Sequence, residues 1–193
     1  VRNGQKEIEE GRVPPPWPLE PKGPEHHHRP GSIFNAMINP LLPYALRGVI
    51  WYQGEANAWR GYQYRRLLAA LINDWRTLCG NPKICFFIVQ LPGFDVDWLE
   101  KDIWPEMREA QAFVAETVPD SGLVCSIDVG DPNDLHPRKK LEIGERLARL
   151  ALAKTYGKKI AFSGPVFRKM EIYDDIIQIE FDHAATLISE GGE

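Results

Sequence analysis

An alternation of three short apolar runs with three amphipathic stretches constrains the fold of this chain most strongly. The runs cover Gly48 to Tyr52, Ile84 to Val89 and Leu123 to Ile127. Short apolar runs of this kind are typical of strands that are buried on both faces of a sheet. Because strands that alternate with helices form parallel sheets, we expect an α/β core whose helices cover the sheet.

The amphipathic stretches predict where the helices lie. Apolar residues spaced three and four apart predict core helices from Tyr64 to Leu78, from Trp104 to Thr117 and from Arg138 to Tyr156. A further helix is predicted from Ser32, a candidate N-cap, to Tyr44, although two prolines within it favour a break. One core of this kind is physically reasonable for a chain of 193 residues.

Composition divides the chain into three segments. Residues 1–31 are rich in proline and are predicted to form an extended surface segment. Residues 32–160 hold the α/β core. Residues 161–193 begin an antiparallel β appendage, because two alternating strands flank Asp174 and Asp175 as in a hairpin with one exposed face.

Charge and hydropathy argue against several classes of partner. A net charge of −4 and a pI near 5.8 provide no basic surface for nucleic acid. No apolar run approaches the roughly 18 residues that a membrane span needs, so we expect no membrane partner. The first residues lack the features of a signal peptide, and we expect the chain to begin within a longer protein. Cys85 and Cys125 are predicted to be buried free thiols.

Two polar loops follow the first and third strands, where ligands bind in sheets of this kind. The later loop contains His136 among the carboxylates of Asp128, Asp131 and Asp134. A histidine beside a carboxylate can act as the general base of a hydrolase, since the carboxylate orients the ring and stabilises its charged form. The competing interpretation is a capping loop, in which the aspartates hold turns and helix ends.

The earlier loop, from Gln53 to Asn57, lies next to a predicted helix N-terminus. Its amide side chains and its backbone N–H groups, including that of Gly54, are candidates for stabilising an oxyanion. Helix capping by Glu55 or Asn57 explains the same residues without any chemistry. Because both loops follow strands of one parallel sheet, we expect them to converge.

Other groups are weaker candidates. The histidines at 26–28 lie in the proline-rich segment without partner ligands at a defined spacing, so a solvated tract is favoured over a metal site. Trp59 and Tyr62 are candidates for stacking on a sugar, although aromatic residues at such spacings usually belong to a core. A metal-dependent hydrolase that uses His136 with the aspartates is a further hypothesis and requires a bound ion. We expect no cofactor and no metal.

Three longer stretches of the sequence match one known group in their residues, their order and their spacing. They are Phe34 to Ala58, which contains Trp-Tyr-Gln-Gly-Glu-Ala-Asn; Trp104 to Gln111; and Ile127 to Lys140, which contains Asp-Leu-His-Pro. Each is far longer than a chance pattern. Together they resemble the sialate O-acetylesterase and acetylxylan esterase group of the SGNH hydrolase superfamily.

This resemblance implies a three-layer α/β/α sandwich of the flavodoxin-like type and the removal of O-acetyl groups from sugars. It also implies a mechanism in which a serine attacks the acetyl carbonyl, a histidine acts as base and then as acid, and no metal is needed. His136 takes the histidine role by its place in the motif. The implied partner is an acetylated carbohydrate, and the implied location is extracytoplasmic, either secreted or periplasmic.

The acid of the implied triad has two candidates. The superfamily usually places it three residues before the histidine, where this chain has Asn133. Asp134 is the nearest alternative, and Glu55 of the Gln-Gly-Glu motif is its rival. The implied oxyanion or substrate contacts are Gln53, Gly54 and Asn57.

The nucleophile is the main departure from the group. In that esterase group, the nucleophilic serine lies in a Gly-Gln-Ser-Asn block after the first strand. This chain has Gly-Gln-Lys at positions 4–6 instead, and none of its five serines lies in such a block. We therefore expect a chain that is truncated at both ends, inactive alone and able to self-associate through an open sheet edge. The alternative is a non-catalytic carbohydrate-binding or scaffold module of the same fold.

Overall fold

The computed structural model of this chain describes residues 29, 31–42, 44–95 and 103–184. Within them, a three-stranded parallel sheet has the spatial order β1 (Gly48–Trp51), β2 (Cys85–Val89), β3 (Ser121–Val124). The helices are α1 (Gly61–Leu78), α2 (Ile103–Thr117) and α3 (Lys140–Lys154). An antiparallel hairpin of β4 (Val166–Tyr173) and β5 (Ile176–Asp182) follows. The predicted α/β fold with an antiparallel appendage is confirmed.

Strand β2 lies at the centre of the described sheet, and all five of its residues are buried. Its side chains alternate between two apolar clusters, because successive residues of a strand point to opposite faces. Phe86 and Ile88 share one cluster with buried residues of α1 and α2. Phe87 and Val89 share the other with buried residues of α3. Helices therefore cover both faces, and the predicted three-layer α/β/α arrangement is confirmed.

Strand β1 differs from the prediction that all three core strands are buried on both faces. It pairs with β2 on one side and lies at the edge of the described sheet. Ile50 is paired with Phe87 and is 62% exposed, whereas Phe87 is buried. The reason is that α3 packs against β2 and β3 and leaves the outer end of this face uncovered.

Two other boundaries differ from the sequence prediction. Strand β3 ends at Val124, and Ile127 begins a short 3₁₀ turn in which it is 45% exposed; Cys125 between them is exposed and not buried. The helix predicted from Ser32 is instead two short helical turns that meet at Asn39, with no buried residue in either. Proline at position 40 has no N–H to continue the helical pattern.

The hairpin around Asp174 has the predicted turn but exposes more than one face. Cross-strand partners lie on the same face, and a register shift between Phe167 and Lys169 keeps one face apolar. That face consists of Phe167, Met170, Ile172, Ile177, Ile179 and Phe181, which are 40–65% exposed. The opposite face carries ion pairs of Lys169 with Glu171 and Glu180.

Some predictions fall on other parts of the chain. The histidines at 26–28 lie outside the described residues. The division into 1–31, 32–160 and 161–193 stays a prediction.

None of the helices among the described residues is both long and apolar enough to cross a bilayer.

The exposed edge at β1 predicts that the chain self-associates in solution. Light scattering should show a mass that rises with protein concentration, because the outer edge of β1 pairs with no other described strand, and an unpaired edge offers free N–H and C=O groups. Ile50→Lys should shift the protein toward the monomer, since a charge at the edge opposes strand pairing. Ile172→Lys on the hairpin is the matched control, because it changes an isoleucine of similar exposure, 65% against 62%. A monomeric wild type, or an equal effect of both variants, would contradict the prediction.

Candidate functional site

The loops that follow β1 and β3 meet at a cleft of about 370 Å³. It is lined by Tyr52, Gln53, Glu55, Ala56, Leu135, His136 and Lys140. Parallel pairing accounts for this meeting, because the carboxyl ends of β1, β2 and β3 all lie at one edge of the sheet. Three of the predicted site residues, Gln53, Glu55 and His136, thus share one cleft. Their chemical roles stay predictions.

A chain of hydrogen bonds orients Gln53. The Trp51 indole N–H donates to the Tyr64 hydroxyl oxygen at 3.0 Å. That hydroxyl lies 2.9 Å from the side-chain oxygen of Gln53 and 3.1 Å from its backbone oxygen, so it donates to Gln53. The amide nitrogen of Gln53 then donates to the side-chain oxygen of Asn57 at 2.7 Å. Burial is the main reason that the pKa of Tyr64 rises to about 12, which keeps its hydroxyl protonated as a donor.

Gln111 fixes the backbone of the same loop by a hydrogen bond from its side chain. Its side chain is fully buried in α2, donates to the backbone oxygen of Gln53 at 3.0 Å and accepts from the Leu91 N–H at 2.8 Å. Gly54 permits this approach, because a Cβ there would lie 3.0 Å from the Gln111 amide nitrogen. The N–H of Gly54 donates to the carboxylate of Glu55 at 3.0 Å. This N–H is therefore already engaged.

The loop that carries His136 is held by its aspartates. Asp131 accepts from the N–H of Asn133 at 2.9 Å, and Asp134 accepts from the N–H of His136 at 2.8 Å. Asp128 forms a two-point ion pair with Arg146 of α3, at 2.7 and 2.6 Å, which lowers the pKa of Asp128. The capping interpretation thus describes the local structure of Asp131 and Asp134.

The same loop packs closely on the segment after β2. A Cβ at Gly130 would overlap the backbone of Gly93, and a Cβ at Gly93 would lie 2.8 Å from the backbone oxygen of Ile127, so both positions need glycine. The N–H of Asp95 donates to the oxygen of Pro132 at 3.0 Å. These backbone contacts add to the bonds of Asp131 and Asp134 in fixing the loop that carries His136. The side chain of His136 is exposed, and its imidazole makes no hydrogen bond with any described residue.

Sequence reasoning missed two prominent residues of the cleft, Tyr52 and Lys140. The Lys140 ammonium lies 4.7 Å from the centre of the Tyr52 ring. Burial and the negative charge of Glu55 raise the pKa of Tyr52, against a smaller opposing contribution from Ser126. Their positions in the sequence could have indicated a place in the cleft, because Tyr52 directly follows β1 and Lys140 is the first residue of α3.

The described part of the chain offers neither a metal site nor a serine at the cleft. It contains no group of three or more histidine, cysteine, aspartate or glutamate residues that could hold a metal ion. The described residues that line the cleft include no serine. Ser126 is fully buried, and its hydroxyl donates to the Gln90 backbone oxygen, while that of Ser163 donates to Gly164. Ser189 lies outside the described residues.

Comparisons with known proteins agree with the sequence resemblance. A family model described as carbohydrate esterase, sialic acid-specific acetylesterase, matches residues 25–153. The sialate O-acetylesterase of Mus musculus is 30% identical over 192 residues, which covers 85% of this chain and 35% of that protein. The sialate O-acetylesterase of Homo sapiens is 32% identical over 168 residues, covering 78% of this chain and 32% of that protein.

A solved structure supports the same relationship. A carbohydrate acetylesterase from Xanthomonas citri superimposes with a TM-score of 0.74 and 36% sequence identity, covering 79% of this chain and 36% of that chain. The chain thus spans about a third of the length of these relatives. The resemblance inferred from the three sequence stretches is confirmed.

The hydrogen bonds of Tyr64 predict that Tyr64→Phe destabilises the protein. The change leaves the Trp51 indole N–H and the side-chain oxygen of Gln53 without their partner, which should lower the free energy of unfolding by about 1–3 kcal/mol in urea denaturation. Tyr62→Phe is the matched control, because Tyr62 lies on the same helix and is 49% exposed. Equal stability of the two variants would contradict the hydrogen-bond chain.

Proposed function

The chain belongs to the carbohydrate esterase family of sialic acid-specific acetylesterases, and we propose that its cleft is part of an active site that removes O-acetyl groups from sugars. One observation carries the proposal, namely that His136 lines the same cleft as Gln53 and Glu55. A base, an acid that orients it and amide donors are the groups that acyl transfer needs besides a nucleophile.

His136 is the proposed general base. Its imidazole is exposed at the cleft and is not hydrogen-bonded to a described residue, which leaves one ring nitrogen for an acid and the other for a hydroxyl. It accepts the proton of a serine hydroxyl as the oxygen attacks the acetyl carbonyl. It then gives that proton to the departing sugar oxygen, and it activates the water that hydrolyses the acetyl-enzyme.

Glu55 is the proposed acid that orients His136. It lines the cleft together with the imidazole, and the Gly54 N–H fixes one of its carboxylate oxygens. Asp134 also accepts from a backbone N–H, that of His136, but unlike Glu55 it is not among the described residues that line the cleft. We assign Asp134 to holding the turn, with its second oxygen as the rival candidate for the acid.

Gln53, which lines the cleft, and Asn57, which accepts a hydrogen bond from it, are the proposed oxyanion or substrate donors of this loop. Because the side-chain oxygen of Asn57 accepts from Gln53, its amide nitrogen remains as a donor. The Gln53 amide has a second hydrogen for the substrate. Gly54 contributes less, because its N–H is engaged by Glu55. A donor at the developing oxyanion is typically worth about 10²–10³ in kcat.

The nucleophilic serine is proposed to be absent from this chain. The described lining of the cleft holds no serine, and Ser126, which is near in sequence to the second loop, is buried and donates to Gln90. The proposed substrate is an acetyl ester of a sugar, and the proposed location is extracytoplasmic. Nucleic acid, membrane, metal and cofactor have no part in the proposal.

If the nucleophile is absent as proposed, this chain should hydrolyse p-nitrophenyl acetate no faster than buffer without protein does. The His136→Ala variant should behave identically, and a fluorophosphonate probe should leave the chain unlabelled, because both assays depend on an activated serine. Turnover that His136→Ala abolishes would instead place a working serine within this chain.

The assignment of the acid is tested in any longer form of the protein that hydrolyses acetyl esters. Glu55→Gln should lower kcat by about 10²–10⁴, because the imidazole loses the carboxylate that orients and stabilises it, whereas Asp134→Asn should have a much smaller effect. The reverse order would transfer the role to Asp134. A longer form that binds acetylated sugars and hydrolyses none would favour the carbohydrate-binding module.

A further inference from the structure

We propose that Trp59 forms a sugar-stacking subsite beside the cleft and selects acetyl esters carried on a pyranose ring over small alkyl esters. The inference rests on the proposed function. Its basis is the 3₁₀ helix from Glu55 to Arg60, which begins at the cleft and carries Trp59 outward on the same side as Ala56. Ala56 lines the cleft.

Burial along this segment repeats every three residues, as expected for a 3₁₀ helix, in which residues three apart eclipse each other. Ala58 is buried, so its side chain points inward. Ala56 and Trp59, which are three residues apart in this helix, are both exposed. They form one outward row that starts at the cleft and leads away from it.

The spacing of this row suits a sugar. A 3₁₀ helix rises about 2 Å per residue, so Trp59 lies about 6 Å along the axis from Ala56. A pyranose ring is of similar size. An acetyl group can therefore enter the cleft while the ring that carries it rests over the next turn of the helix.

Trp59 is also free to receive a ligand. It is 44% exposed, and among the described residues its indole has no ring, cation or hydrogen-bond partner. Tyr62, by contrast, is held by the Arg65 guanidinium, which lies 5.4 Å from its ring centre and 5.1 Å from that of Phe113. Arg65 also pairs with Glu109 at 2.9 Å. The ring of Tyr62 is thus already in contact with a cation, whereas the indole ring of Trp59 is partly exposed and makes no such contact with a described residue.

The chemistry of the indole favours a sugar as occupant. An indole combines a large apolar face with an N–H donor, and the C–H face of a pyranose together with its hydroxyls complements both. Single exposed apolar residues are common on protein surfaces and need no function. Among the exposed aromatic residues that the structure describes, Trp59 is distinguished by lying one 3₁₀ turn after Ala56, which lines the cleft.

The test is a titration of the ¹⁵N-labelled 193-residue chain followed by NMR. The probes are a methyl O-acetyl-pyranoside and methyl acetate, and neither is consumed if the chain lacks its nucleophile. The pyranoside should shift the Trp59 indole N–H resonance together with the Ala56 amide. Trp59→Ala should weaken pyranoside binding about 3- to 10-fold, and Trp59→Phe should weaken it less. Binding of methyl acetate should not change.

Tyr156→Ala is the control variant. It removes an aromatic residue of 57% exposure beyond the C-terminal end of α3, whereas the first residue of that helix, Lys140, lines the cleft. Unchanged pyranoside affinity in Trp59→Ala, with cleft amides still shifting, would overturn the subsite and leave the esterase proposal intact. If neither probe shifted resonances of the cleft, both proposals would fail.

Discussion

The buried amide of Gln111 is the interaction on which the site depends. It joins the loop after β1 to the segment after β2 by two hydrogen bonds, one to the Gln53 oxygen and one from the Leu91 N–H. A buried amide without partners costs about 1–3 kcal/mol per unsatisfied group, so this pairing is strongly specified. It fixes the backbone from which the side chains of Gln53, Glu55 and Asn57 project.

The sheet supplies the second half of the arrangement. Parallel pairing of β1, β2 and β3 brings the loops after β1 and β3 to one edge, on either side of β2. The close approach of Gly93 and Gly130 then holds the later loop against the segment after β2. The cleft is therefore formed by three consecutive strand ends, each tied to the next by hydrogen bonds of the backbone or of a buried side chain.

Sequence patterns predicted the parts of this structure that depend on burial. The α/β alternation, the helices and the central strand followed from apolar periodicity, and the convergence of two loops was expected from parallel pairing. The exposure of Ile50 could not be predicted, because it depends on which strand the helix α3 covers. Ile127 looked like strand, yet the backbone turns there to meet Gly93.

The site itself was only partly visible in the sequence. The Gln-Gly-Glu and Asp-Leu-His motifs identified Gln53, Glu55 and His136, but Lys140 was missed because only the fold places it over Tyr52. The atoms that Asp134 and Gly54 have already committed to local hydrogen bonds could not be read from residue types either. The proposal of Glu55 rather than Asp134 as the acid rests on the cleft, because Glu55 lines it together with His136 and Asp134 is not among its described lining residues.

The most direct measurement is a crystal structure of this chain with acetate, the acid product of the proposed reaction. Acetate is expected in the cleft, between the imidazole of His136 and the side-chain amides of Gln53 and Asn57, with the Glu55 carboxylate facing the imidazole. An imidazole turned away from Glu55, or loops after β1 and β3 that do not meet, would contradict this prediction.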